Sequence, residues 1–152
     1  MANLASGVWH DAEGLVVVVV QNATAPTDAE WASYCAHIAS GLEAKKPSGI
    51  AITDGGGPNA VQRGKVNDLL GGRQVRSAVV SDSRLIRGIV TALTWFNRET
   101  AAFSPAAIDK AFHFAGVGGS RAQAVWDLVL KLNSHISPAS KTVAVAARHL
   151  RF

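Results

Sequence analysis

Five valines in succession, Val16 to Val20, follow Leu15 with no polar residue between them. Successive side chains of a strand point to opposite faces, so a strand with one wet face alternates apolar and polar residues. An unbroken β-branched run instead predicts a strand covered on both faces and central in its sheet. The rest of the chain has the punctuation that such an architecture needs. Thr27 and Glu30 match a capping box, and Trp31, Tyr34, Cys35, Ile38 and Leu42 follow at helical spacing, which predicts a helix ending between Gly41 and Lys46, ahead of Pro47. Gly49-Ile50-Ala51-Ile52-Thr53 predicts a second strand. Asp54-Gly55-Gly56-Gly57-Pro58-Asn59 then delivers a second helix over about residues 59–70, closed by Gly71-Gly72.

Val75 to Val80 predicts a third strand, and Ser81-Asp82-Ser83 supplies cap-type residues for a third helix with Leu85, Ile86, Ile89, Val90, Leu93 and Phe96 on one apolar face. Ala101-Ala102-Phe103 is a short extended piece. Ser104-Pro105, a cap residue followed by proline, starts a fourth helix carrying Ile108, Ala111, Phe112 and Ala115. Gly116-Val117-Gly118-Gly119 interrupts, and Ser120 opens a helix with Ala124, Val125, Leu128, Val129 and Leu132. Ser137-Pro138 repeats the start signal, so the tail is expected to be helical, with Thr142-Val143-Ala144-Val145 as a strand alternative. The expected order is βαβαβαβα with two extra C-terminal helices: an α/β fold with a small, mostly parallel or mixed four-stranded sheet covered by helices. The expected division is an α/β domain over residues 1–117 and a helical extension over 118–152.

At 152 residues, 48% hydrophobic and 17% charged, the chain has the size and composition of one globular domain. The formal charge of +4 is uneven: residues 1–119 hold ten basic and ten acidic side chains, residues 120–152 five and one. A second basic stretch contains Arg63, Lys65, Arg73, Arg76, Arg84, Arg87 and Arg98 against Asp68 and Asp82. Solvated helix faces and strand ends account for this balance better than an acidic partner does. Trp95-Phe96-Asn97-Arg98 and Trp126 lack the interleaved basic and aromatic stripe of a nucleic-acid surface, so no nucleic-acid partner is expected. The one cysteine, Cys35, lies on an apolar helix face, is expected to be an inert thiol, and suits a reducing cytoplasm. The N-terminus lacks a basic n-region and the valine run is too short to span a bilayer, so no targeting or transmembrane segment is expected.

The glycine loop is where an α/β domain would place a site, since successive N–H groups can line a concavity beside a helix N-terminus. A nucleotide P-loop is nevertheless excluded. Gly64-Lys65 is followed by Val66, and no glycine lies five residues earlier. The dinucleotide fingerprint fails too, because no glycine stands three residues after the triplet. His10, His37, His113, His135 and His149 are scattered singly, with no metal-ligand spacing. There is no Gly-x-Ser-x-Gly elbow, and Ser137-Pro138-Ala139-Ser140-Lys141 does not fit Ser-x-x-Lys. Asp54 and Asp82 both follow strands and could form a carboxylate pair, although turn and cap duty is the simpler role. No catalytic residue, metal or cofactor is therefore expected.

The strand at Val16 to Val20, the capped helix from Thr27, Ile50-Ala51-Ile52-Thr53-Asp54 entering a helix, Val75 to Ser81, and Ala102-Phe103 before the helix at Ser104 together resemble the STAS domain. That is the fold of anti-sigma-factor antagonists and sulfate-transporter tails, and the likeness is to stand-alone relatives allied to CRAL-TRIO lipid-binding domains. It covers about two thirds of the chain. The resemblance implies a non-enzymatic module acting through protein contacts, sometimes gated by phosphorylation where the helix after a central strand begins. That position falls in Asp54 to Asn59, where no Ser or Thr is available beyond Thr53, so constitutive binding or self-assembly is expected rather than a switch. The binding residues expected are Asp54, Gly55, Gly56, Gly57, Asn59, Gln62 and Arg63, facing a protein partner or a second copy. The alternative is a small-molecule or lipid carrier with an apolar pocket between the sheet and the third and fourth helices.

Overall fold

The computed structural model describes residues 2–84, 86, 88 and 99–152. Its sheet has five strands in the order β1 (Leu4–His10), β2 (Leu15–Gln21), β3 (Pro47–Thr53), β4 (Arg76–Val80) and β5 (Thr100–Phe103). β1 runs antiparallel to β2 and the other neighbours pair in parallel, so the sheet is mixed. The valine run lies inside the sheet as expected, with residues 16–20 all buried. The expected count of four strands is corrected to five. β1, Leu-Ala-Ser-Gly-Val-Trp-His, carries little intrinsic strand signal. It forms because a turn in which Asp11 Oδ1 accepts from the N–H groups of Glu13 and Gly14 folds it back along the whole of β2.

One face of the sheet is covered by α1 (Asp28–Leu42), with α2 (Ala60–Leu70) packed beside it. Leu4, Val19 and Trp31 form a small core there. The capping box of α1 is present with both of its hydrogen bonds, and Gly71, at φ 55°, ends α2. The opposite face, with Val16, Val18, Val20, Ile50, Ile52 and Val80, meets α3 (Ile108–Phe114), α4 (Ala122–Asn133) and α5 (Lys141–Ala147) in one continuous core. α4 lies over β1 and β2, and the small strand residue Gly7 lets it approach: a Cβ there would come within 3.3 Å of Leu128. Residues 118–152 thus contribute Val125, Trp126, Val129, Leu132, Ile136 and Val143 to the same core as the strands.

Two expected start signals shift. Ser104 and the Gly118–Ser120 segment lead into short 3-10 turns, Pro105–Ala107 and Gly119–Arg121, before α3 and α4, and neither turn has a side-chain cap. The tail is helical rather than a strand. Its N-cap is Ser140, not Ser137, whose peptide bond to Pro138 is cis. The third expected helix and the Trp95 to Arg98 motif lie for the most part outside the described residues.

Candidate functional site

β2 and β3 end side by side, with Gln21 paired in register with Thr53, and the glycine loop follows at once. Asp54, the first loop residue, turns toward the C-terminal helices. Its Oδ1 accepts from the Ser140 hydroxyl at 2.8 Å and from the Thr142 N–H at 2.9 Å, and its Oδ2 accepts from the Lys141 N–H at 3.0 Å. Burial would raise its pKa, but these bonds from Thr142, Ser140 and Lys141 outweigh it and hold the carboxyl below the ordinary aspartate value. Asp82 is exposed and shares none of these bonds. The arrangement holds a helix end; it does not set up a carboxylate pair.

The other expected site residues divide between scaffold and surface. Gly55 adopts φ 119° and its N–H donates to Thr53 Oγ1. Gly56 is wedged against the chain after β2, where a Cβ would collide with the backbone oxygens of Thr24 and Asn22; Gly57 has open space around it. Asn59 caps α2 in a reciprocal box with Gln62. Gln62 is only 2% exposed. Its Nε2 donates to Pro26 O and Asp28 Oδ1, and its main-chain carbonyl accepts from Trp31 Nε1 at 2.7 Å, so the residue ties α2 to α1. Arg63 Nη1 donates to Pro58 O at 2.7 Å, and the guanidinium forms no ion pair with a described residue.

Gly55, Gly57 and Arg63, together with Pro58, form the rim of a cavity of about 310 Å³ between the sheet and α1 and α2. Its walls are mostly apolar: Leu4, Val19, Trp31, Ala51, Ile52, Val79 and Ile86. The alternative expectation placed such a pocket between the sheet and the third and fourth helices. Ile86, from the start of the expected third helix, does line it, whereas the fourth, α3, packs on the opposite face. Three polar residues absent from the expected set, Gln21, Tyr34 and Thr53, also line the cavity. Gln21 is 6% exposed, and its Nε2 is the one buried side-chain nitrogen or oxygen among the described residues without a hydrogen-bond partner. Tyr34 packs edge-on against Trp31 with centroids 5.1 Å apart, and its hydroxyl bonds to no described residue. Burial pushes its phenol up to about 12, with a lesser contribution from Cys35, so it remains a donor at neutral pH. The only sequence signal for Gln21 was its place as the polar residue closing an all-apolar strand.

A wider groove of about 840 Å³ opens at the other end of the strands. Its two arginines are already paired, Arg121 with Asp11 at 2.8 Å and Arg76 with Glu99 at 3.3 Å, while Lys45 and Lys46, which also line it, form no ion pair with a described residue; what sets the smaller cavity apart is the buried Gln21 amide. Burial also pushes the Cys35 thiol up against the opposing pull of Lys65, which fits an unreactive group. Among the described residues no three His, Cys, Asp or Glu side chains gather as a metal site, and no helix is long and apolar enough to cross a membrane.

No protein-family model and no curated protein matches this chain. Among solved structures it is similar to an uncharacterized protein of the DUF3478 family with a SpoIIAA-like fold from Shewanella loihica PV-4. The TM-score is 0.49 at 14% sequence identity, over 68% of this chain and 87% of that one.

Proposed function

We propose that this chain is a non-enzymatic, STAS-type interaction module of the cytoplasm that docks a protein partner, a second copy included, on the outward side of the first turns of α2. The observation that carries this reading is Val61, a large apolar side chain 70% exposed at the start of that helix. The backbone beneath it is locked by the Asn59–Gln62 box and by the bond from Trp31. A partner gains apolar contact there without having to order the chain. Gly57, Asn59 and Ala60 beside it are exposed and small, leaving room for a partner's backbone. Thr53 is nearly buried and its hydroxyl already accepts from Gly55 N–H, which favours constitutive docking over phosphorylation at this corner. The test is Val61→Glu, read by sedimentation velocity for self-association and by pull-down for other partners. Complex formation should fall about tenfold while the melting temperature stays level, because an acid in the first helical turn is well tolerated. Undiminished complexes would count against the reading.

A second reading, a carrier of a small apolar ligand, is favoured by a different observation: the mostly apolar cavity beside Arg63 is lined by Gln21, whose amide nitrogen is buried without a partner.

A further inference from the structure

We propose that the cavity between the sheet and α1 and α2 binds an apolar monocarboxylate, its carboxylate held by Arg63 and the Gln21 amide and its hydrocarbon body lying against Val19, Ala51, Val79 and Trp31. This rests on the carrier reading and adds the chemistry of the ligand. Three features of the site select that chemistry. The Gln21 Nε2 is buried with nothing to accept its hydrogens, a state that weakens the fold unless something else fills the position. Arg63 brings a guanidinium to the rim of a mostly apolar cavity with no carboxylate from the described protein beside it. Tyr34 adds a hydroxyl that stays protonated and has no acceptor among the described residues.

All three groups can donate, and two of them can only be satisfied by an acceptor. An ionised carboxylate is acceptor-only, and its two oxygens suit one guanidinium and one amide. One cation matches one negative charge, which favours carboxylate over a doubly charged phosphate monoester. The cavity is at the small end of ligand-site volumes, roughly 300–1,000 Å³, so the body is a medium-chain alkyl group or a single aryl ring. The site also lies over the carboxyl-terminal halves of the parallel strands, near the edge where open α/β sheets hold their ligands.

The test is calorimetric titration of the full chain with octanoate and 3-phenylpropionate, set against octanol and hexyl phosphate. At least one of the two acids should bind, octanol and hexyl phosphate each about tenfold more weakly. Arg63→Met should weaken the acid about tenfold and Gln21→Leu about threefold or more, with a thermal melt verifying that each variant is folded. Should Arg63→Met fail to fold, Gln21→Leu, which removes an unpaired group, still decides the matter. Octanol binding as tightly as the acid would overturn the carboxylate assignment while leaving a carrier. Tighter hexyl phosphate would overturn it in favour of a phosphate, unchanged affinity in Gln21→Leu would remove the amide from the site, and no heat from either acid or octanol would overturn both this inference and the carrier reading.

Discussion

On one side of the adjoining ends of β2 and β3, Asp54 gives its two carboxylate oxygens to three donors at the start of α5. On the other side Gln21, one register position from Asp54 across the strand pair, has a buried donor that no protein group accepts, and Arg63 has no counter-ion among the described residues. The two corners share a loop and differ in completeness. The first joins the C-terminal helices to the sheet with both carboxylate oxygens engaged. The second departs from the rule that buried polar groups are paired, and such departures in otherwise consistent folds concentrate where something binds.

Adjacent glycines give the largest expected contrast. Gly56→Ala forces a methyl into the backbone oxygens of Thr24 and Asn22, which cannot move without dislodging the loop, and should cost about 3 kcal/mol in urea unfolding. Gly57→Ala, on the open side with nothing near its Cβ, should stay within about 0.5 kcal/mol of the parent. Similar losses at both positions would mean that the loop is equally packed on its two sides, and the comparison would fail.

Asp54→Ala comes next. It strips the acceptor from three donors of a partly buried helix start, and a loss of roughly 2–3 kcal/mol is expected. The acid limb of the stability curve sharpens the point. Asp54 has its folded-state pKa depressed below 3.8, so its contribution is complete above the unfolded value and drains away as pH falls through the folded one. Glu30, lowered from 4.5 by bonds from Thr27, Asn3 and Leu4 that outweigh its own burial, acts in the same sense. Asp54→Asn should therefore flatten, but not abolish, the loss of stability below about pH 4. Equal slopes in parent and variant would show that the corner does not depend on the charge.

What could be read from the residues follows the range of the interactions. β2 and α1 were legible because a valine run and a Thr-x-x-Glu box act within a few positions, and Asn59 was recognisable as a cap for the same reason. β1 was not, since Leu4 to His10 becomes a strand only by pairing with β2 and by offering Gly7 to α4. Ser140 was passed over for Ser137 because the carboxylate that engages it stands 86 positions earlier. At the site the glycines and Arg63 were visible, but Gln62 was expected at the surface and instead ties α2 to α1. Gln21, Trp31 and Tyr34 converge from separate elements, and the lack of a partner for an amide is a property of three dimensions alone.

Gln21→Leu is the smallest expected change and bears most directly on the open corner. Leucine has nearly the volume of glutamine and removes the unpaired amide, so the free chain should gain about 1 kcal/mol in urea unfolding. A gain in the empty protein together with a weaker grip on the acid is what a binding group held at the expense of stability must produce. A structural group would lose stability instead. If Gln21→Leu destabilises the chain by more than about 1 kcal/mol, the amide has a role inside the fold and the two corners are alike after all.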